Sequence, residues 1–220
     1  NSVFNLTDTT FDITSSNIIE NLTMVAPNGG YSYFSLNNSS LVQNKDKSLS
    51  GNKITLVNGK NSTVDWRSNI NMTGSENVAF YMKGTKGADP EVKTLAGKTI
   101  ILGNKSVGAY VEDGARVENH SAIILGENGA ALYAKGAGSA ITNDAELTIG
   151  KNTVGIYQEN GDHDKISHTG KILSEKEEAK GIVFKKSSAA NFKNAGTINL
   201  TGVSSIGVYA DGAAHTFEND

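Results

Sequence analysis

The sequence predicts an all-β chain folded as a parallel β-helix, with three short strands in each coil of about 25 residues. Three observations lead to this fold class: a repeat of that period, short segments in which apolar and polar residues alternate, and a composition with 24 Gly and 24 Asn among 220 residues. Gly and Asn tolerate the backbone angles of tight corners, so their abundance favours many short strands joined by turns.

The repeat is clearest where the segment 70–84 aligns without a gap onto the segment 198–212. Copies between these two place a tyrosine or valine at the same point of each period, 23 to 29 residues apart. These positions are Tyr81, Tyr110, Tyr133, Tyr157, Val183 and Tyr209. We expect equivalent side chains, the tyrosines included, to stack inside the coil as axial ladders.

A second repeated element has the form apolar-x-Asn-x-small-x-apolar-x-apolar, as in 117–125 and 141–149. The alternation predicts strands with one buried face, and we assign the Asn position to a corner between two of them. One period then contains strands at 116–118, 122–125 and 130–134. An antiparallel sandwich or barrel is the alternative, but its strands need not share residues at matching positions of a 25-residue repeat.

The chain divides into residues 1–60, which fit the repeat poorly, and residues 61–220, which carry it. A β-helix needs a cover for the end of its core, so we expect residues 1–60 to form an irregular N-terminal cap or atypical first coils. The aromatic residues expected in this cap are Phe4, Phe11, Tyr31, Tyr33 and Phe34. The segment 217–220 resembles the start of the strand at 192–195, so the repeats are expected to continue beyond Asp220.

Composition excludes several classes of protein. The net charge of −3 and the presence of two Arg disfavour nucleic-acid binding. The absence of Cys excludes disulfides, thiolate zinc sites and thiol nucleophiles.

The repeat resembles the passenger domains of Gram-negative autotransporters, and among them the large fusobacterial adhesins. The resemblance is carried by the segment 194–202, which reads Asn-Ala-Gly-Thr-Ile-Asn-Leu-Thr-Gly, by the segment 205–209, which reads Ser-Ile-Gly-Val-Tyr, and by their copies over about 64–220. It implies a right-handed β-helix at the bacterial surface, tethered to the outer membrane through a C-terminal barrel that is absent from this chain. It also implies adhesion, with a host or bacterial cell-surface protein or glycan as the partner.

Parallel β-helices can also act on polysaccharides, so we consider catalytic residues. We assign Asp113 and Asp211 to one position of the repeat, four coils apart. Four coils correspond to about 19 Å, whereas carboxylates that cleave a glycosidic bond lie roughly 5 to 9.5 Å apart. The sequence therefore predicts a protein that is not an enzyme.

The segment 162–164, Asp-His-Asp, and His168 are the densest group of possible metal ligands. We interpret the segment 162–164 as part of a polar loop and His168 as filling the Asn position of the repeat, which faces a corner, and we expect no metal and no cofactor. The tyrosines could line a carbohydrate-binding face, but their fixed spacing favours a structural ladder. Trp66 could anchor a ligand or seal the cap, and the second interpretation is favoured.

The predicted function is that of an adhesin fragment that contacts its partner through loops on a rigid rod. The expected loops lie near 83–93 and 159–178, where insertions or charged runs interrupt the repeat. The candidate contact residues are Lys83, Lys86, Asp89, Glu91, Glu159, Asp162, His163, Asp164, Glu175 and Glu177. The alternatives are a purely structural spacer and a polysaccharide-active enzyme.

Overall fold

The chain forms three parallel β-sheets that wind together as a β-solenoid with about 25 residues per coil, as seen in a computed structural model. The structure describes residues 2–13, 30–85, 88–162, 165–187, 191–212 and 216–220. Seven coils contribute one strand to each sheet in the order A, B, C, and the first and last coils contribute strands to sheets A and B within the described residues. Strands from successive coils pair side by side. The predicted parallel β-helix is confirmed.

The strands are numbered in chain order. Sheet A contains β1 (Ser2–Thr7), β3 (Tyr31–Asn37), β6 (Ile54–Lys60), β9 (Val78–Lys83), β12 (Val107–Glu112), β15 (Ala130–Lys135), β18 (Val154–Glu159), β21 (Lys180–Ser187) and β24 (Ile206–Gly212). Sheet B contains β2 (Thr10–Ile13), β4 (Ser40–Gln43), β7 (Thr63–Trp66), β10 (Glu91–Thr94), β13 (Arg116–Asn119), β16 (Ala140–Asn143), β19 (Ile166–His168), β22 (Asn191–Asn194) and β25 (Thr216–Asn219). Sheet C contains β5 (Lys47–Leu49), β8 (Ile70–Met72), β11 (Thr99–Leu102), β14 (Ala122–Leu125), β17 (Glu146–Ile149), β20 (Lys171–Ser174) and β23 (Thr197–Leu200).

Alternation along each strand decides which side chains form the core. In β14, Ile123 and Leu125 are buried inside the coil, whereas Ile124 between them is exposed. Ile123 is in register with Ile100 of β11 and Leu147 of β17, so an unbroken aliphatic row runs along the axis. A single coil could not bury this row, and stacking is what removes it from water.

The corners use residues that tolerate a positive φ. Asp113 and Gly114, between β12 and β13, have φ angles of 54° and 86°. Asn128, at the corner between β14 and β15, has a φ of 59°. Short polar side chains and Gly reach this left-handed region at low cost, which explains why they mark the corners in the sequence.

The described residues up to 60, which are 2–13 and 30–60, contribute strands to all three sheets. Phe4 of β1 is in register with Phe34 of β3, and both strands belong to sheet A with all later coils. Residues 14–29, between β2 and β3, lie outside the described residues. The repeat is hard to recognise here because Asn58 and Ser35 occupy the position held by tyrosine in later coils.

Aromatic rings fill the core of these first coils. The rings of Phe4 and Phe34 are stacked with centroids 5.2 Å apart. Trp66 is 0% exposed and lies between Phe34, at 6.5 Å, and Phe80, at 5.5 Å. Trp66 is therefore a core residue that packs between the first coils and the later ones.

Candidate functional site

The outer face of sheet A carries a row of tyrosines along the solenoid axis. Tyr110 of β12 lies between Ala109 and Val111, which are both buried, so its own ring points to the outside. The expectation that these tyrosines face the core is therefore wrong. The same register continues along the sheet and defines the tyrosine lane: Tyr81, Tyr110, Tyr133, Tyr157, Val183 and Tyr209.

The rings of this lane contact one another from coil to coil. Tyr81 and Tyr110 stack with centroids 5.4 Å apart, and Tyr133 meets Tyr110 at 4.6 Å and Tyr157 at 4.7 Å edge to face. Val183 then interrupts the row. Its smaller side chain leaves an open hollow of about 320 Å³ on the surface between Tyr157 and Tyr209.

A charged lane runs beside the tyrosines, two residues further along each strand. Its members, in axial order, are Lys83, Glu112, Lys135, Glu159, Lys185 and Asp211. Basic and acidic residues alternate from Lys83 onward, whereas Lys60 in the preceding coil is also basic. Lys83 Nζ lies 2.9 Å from Glu112 Oε1 and 3.1 Å from Asp113 Oδ2. The sequence reasoning missed this lane, although the residue two places after each repeated tyrosine would have shown it.

Hydrogen bonds join the tyrosine lane to the charged lane. The Tyr81 hydroxyl donates to Glu112 Oε1 at 2.5 Å, and the Tyr110 hydroxyl donates to Glu112 Oε2 at 3.3 Å. Tyr133 donates in the same way to Glu159 in the next coil. Each bonded carboxylate therefore holds a ring in its outward orientation.

Burial and these hydrogen bonds change the pKa values of side chains in both lanes. Burial, followed by the hydrogen bond to Glu112, raises the pKa of Tyr81 to about 12. Burial on its own would raise the pKa of the Glu112 carboxyl, but the hydrogen bonds from Tyr81 and Lys83 outweigh it and lower that pKa. At neutral pH the phenol is thus a neutral donor and the carboxylate is charged.

An aliphatic lane begins each strand of sheet A and completes its outer face. Its members are Val78, Val107, Ala130, Val154, Lys180 and Ile206. Ile206 is 39% exposed, and Val78 through Val154 are partly exposed. The face therefore presents aliphatic, aromatic and charged rows side by side.

The two aspartates considered as a catalytic pair do not share a lane. Asp211 is in register with Lys185 and belongs to the charged lane with Glu112, whereas Asp113 lies at the corner after β12. The assignment of Asp113 and Asp211 to one position is wrong because Asp113 is three residues after its tyrosine and Asp211 is two residues after its own.

The first candidate loop lies between β9 and β10, at the corner from sheet A to sheet B. Arg116 Nη1 donates to both carboxylate oxygens of Asp89, at 2.6 and 2.7 Å, and Arg116 Nε donates to Glu91 at 2.8 Å. Asp89 and Glu91 therefore form a surface ion cluster with Arg116, and Lys83 belongs to the charged lane. Lys86 lies outside the described residues.

The second group of candidate residues divides between two corners. Glu159 and Asp162 lie at the sheet A to sheet B corner, where the Asp162 main-chain oxygen accepts a hydrogen bond from Gln158 at 2.6 Å. His163 and Asp164 lie outside the described residues. Glu175 and Glu177 follow β20, at the corner from sheet C to sheet A, and Glu177 pairs with Lys151. The predicted contact residues thus border sheet A on both sides.

His168 lies at the Asn position of the repeat, with its side chain in the interior. It is 1% exposed and is in register with Asn143 and Asn194. This position ends each strand of sheet B beside the corner, and the Asn143 side chain, 0% exposed, points into the coil. Burial lowers the pKa of His168, against a smaller raising effect of nearby backbone groups of Thr197 and Asn143.

These interior polar residues form an amide lane along the inside of sheet B. Its members are Thr94, Asn119, Asn143, His168, Asn194 and Asn219. Asn119 Nδ2 donates to Asn143 Oδ1 at 2.7 Å, and Asn143 Nδ2 lies 3.2 Å from His168 Nδ1. Asn119 and Asn143 each also donate to the main-chain oxygen two residues later, at 2.9 Å. The lane therefore stabilises the corner of each coil and links it to the next coil.

Within the part of the chain that the structure describes, no three His, Asp or Glu side chains come together as ligands for a metal ion. His168, which the sequence placed near the Asp-His-Asp segment, is directed into the core. The described residues also include no helix with the length and apolar character needed to cross a membrane.

Comparison with known proteins gives no match: no family model, no curated protein and no solved structure matches the chain. The fold and the three lanes of sheet A are therefore what the functional argument rests on.

Proposed function

We propose that this chain is a fragment of a surface adhesin, in which a rigid β-helical rod holds loops away from the cell. The observation that carries the proposal is the side-by-side pairing of nine parallel strands in each of sheets A and B, which supports a stiff rod. The partner is a protein or glycan on a host cell or a neighbouring bacterium. The rod itself lies outside the outer membrane.

The loops at the sheet A to sheet B corner support this assignment. The corner after β12 spans only residues 113–115, whereas the corners after β9 and β18 span 84–90 and 160–165. Extra residues at two corners, on an otherwise uniform rod, are placed where a partner can reach them. These two corners are three coils apart, which corresponds to about 14 Å along the axis.

The experiment uses the fold's own short corner as the control. In the variant, residues 84–90 are replaced by the Asp-Gly-Ala of 113–115, and residues 160–165 by the Gly-Ala-Gly-Ser of 136–139. Beads coated with the chain or the variant are incubated with epithelial cells and with bacterial cells. We expect the chain to bind and the variant, with an unchanged circular dichroism spectrum, to lose binding.

Equal binding by the variant would exclude these loops as the contact. A spacer is the second candidate, because several predicted contact residues already have partners within the chain: Asp89 and Glu91 pair with Arg116, and Glu177 pairs with Lys151. Absence of binding by the unaltered chain would favour that spacer. The proposal includes no catalytic step, so release of reducing ends from a polysaccharide panel would contradict it.

A further inference from the structure

The charged lane of sheet A is complementary to itself when it is reversed. Read from the first coil to the last, Lys83 to Asp211, it alternates basic and acidic over six positions. Read from the last coil to the first, every position has the opposite sign. Two copies placed antiparallel therefore oppose Lys83 to Asp211, Glu112 to Lys185 and Lys135 to Glu159, and symmetry repeats each pair.

We propose that the outer face of sheet A binds a second copy of this chain, with the two rods antiparallel. The two-fold axis runs along the strand direction, between β15 and β18. Rotation about this axis reverses the order of the coils but keeps each lane opposite the same lane of the partner. Strand directions stay aligned, as in the packing of two sheets face to face.

The other two lanes fit this arrangement. In the aliphatic lane Val78 lies opposite Ile206, and Ala130 lies opposite Val154. Val107 lies opposite the aliphatic stem of Lys180, whose ammonium donates to Asn152 Oδ1 at 3.3 Å. In the tyrosine lane the one small residue, Val183, lies opposite Tyr110 of the second copy. The hollow of about 320 Å³ at Val183, bordered by Tyr157 and Tyr209, thus receives a ring at the place where the lane lacks one.

The dimer also covers the last strand of sheet A. Tyr209 is 43% exposed and Ile206 is 39% exposed because β24 ends the sheet and no further strand lies beside it. The antiparallel arrangement covers both, Tyr209 by Tyr81 and Ile206 by Val78. The partner is thus a surface with the same apolar rows and the opposite order of charge.

The size of the face makes this a weak, reversible dimer. Five coil spacings and five residues across give a flat footprint of about 24 by 16 Å, on the order of 400 Å² per copy. Interdigitated side chains bury more area than this footprint, but the interface stays at the small end of specific contacts. We expect association in the micromolar to millimolar range and weaker association in high salt.

Sedimentation velocity of the 220-residue chain tests the dimer, from low micromolar concentration up to about 1 mM. Glu112→Lys alone places like charges opposite Lys185, and Lys185→Glu alone places like charges opposite Glu112. Each single variant should weaken dimerisation by roughly tenfold or more. The double variant should restore it, because the two swapped charges again oppose each other across the interface.

The double variant shows whether dimerisation depends on charge pairs between the two chains or on the order of charges within one chain. Its lane reads basic at 83, 112 and 135 and acidic at 159, 185 and 211, so neighbouring coils repel while every contact between chains is kept. Restored dimerisation therefore cannot come from the intrachain ladder. The proposal is overturned if the chain stays monomeric at the highest concentration, or if the double variant is as weak as the single ones.

Val183→Tyr provides a second test that does not alter charge. Tyrosine occupies this position in the neighbouring coils, so the variant should fold, and urea unfolding would verify it. The new ring fills the hollow that receives Tyr110 of the second copy, so dimerisation should weaken about tenfold. A dimer of unchanged strength would show that another surface holds the two chains together.

Discussion

The amide lane inside sheet B and the charged lane outside sheet A are built alike but stand in different surroundings. Each has one polar residue per coil, in register with the next. Hydrogen bonds join Asn119, Asn143 and His168 in the amide lane, and an ion pair joins Lys83 to Glu112 in the charged lane. Asn143 is fully buried, whereas the Lys83 side chain is 41% exposed. A buried amide must find its partner within the protein, but an exposed ammonium can replace its partner with water. A polar residue repeated once per coil therefore contributes much to stability inside the solenoid and little on its outer face.

The largest effect on stability is expected for substitution of Trp66, an aromatic residue inside sheet B. Trp66 is in register with Gln43 and Thr94, so it occupies the amide lane's position in an earlier coil. Trp66→Ala should lower the free energy of unfolding by about 3 to 5 kcal/mol, because it leaves a cavity between Phe34 and Phe80. Urea denaturation measures this loss. The outward ring of Tyr133 is the matched control, and Tyr133→Ala should cost about 1 to 2 kcal/mol. Equal costs would show that outer and inner positions do not differ as described.

The second prediction removes an interior amide. Asn143 bonds to Asn119, to the Ala145 main chain and to His168, so Asn143→Ala leaves several buried groups unsatisfied. We expect a loss of about 2 to 3 kcal/mol in urea denaturation. Lys135→Ala, on the charged lane of the preceding strand, should change stability by less than about 0.5 kcal/mol. A loss no larger for Asn143→Ala than for Lys135→Ala would contradict the structural role of the amide lane.

The third prediction uses pH on the one titratable member of the amide lane. Burial lowers the pKa of His168 below its ordinary value of 6.5, so the unfolded chain takes up a proton before the folded chain does. The stability due to neutral His168 is complete above 6.5 and is lost as pH falls from there through the lower folded pKa. Urea midpoints should therefore decrease between about pH 7.5 and pH 5.

The His168→Asn variant is the control, because Asn occupies this position in the adjacent coils. It should lose most of this pH dependence while the interior row stays intact. A variant with the same dependence as the unaltered chain would assign the effect to other groups. Carboxylates with lowered pKa values, such as Glu112, change their charge at more acidic pH than His168, so their titration does not account for a change in this pH range.

The smallest expected effect concerns the outer lanes. The Glu112→Gln variant removes the charged acceptor of the Tyr81 hydroxyl but leaves the Tyr81 ring as buried as before. The pKa of Tyr81 should therefore fall from about 12 and remain above its ordinary value of 10. Ultraviolet absorbance of tyrosinate during an alkaline titration follows the change. Stability at neutral pH should change by less than about 0.5 kcal/mol. A large loss of stability would show that the outer ladder supports the fold after all.

The sequence was enough to predict the coil, its period, its repeated positions and the Asn position beside a corner, but it led to one assignment of side that the structure reverses. The tyrosines were placed inside, although Phe80 and Met82 flank Tyr81 and are themselves buried. Hydrophobicity suggested the wrong face, whereas alternation along the strand indicated the correct one. Alternation also accounts for the burial of Asn119, because Val117, Asn119 and Ser121 are two residues apart and share the buried face.

Other features could not be predicted from the sequence. The regular strands of the first sixty residues escaped detection because different residue types fill the repeated positions there. The ion cluster of Asp89, Glu91 and Arg116 joins residues from two coils, so it depends on the register between β10 and β13. The hollow at Val183 likewise requires knowledge that Tyr157 and Tyr209 lie on either side of it.

The alternating order of the charged lane limits the positions in which two antiparallel rods can meet. A two-fold axis between neighbouring strands of sheet A, such as β15 and β18, opposes unlike charges wherever the six alternating members overlap, whereas an axis through a strand opposes like charges. Sliding the second rod by one coil spacing, about 4.8 Å, therefore turns attraction into repulsion, and sliding it by two restores attraction. The lane thus sets the relative position of two rods in steps of two coils.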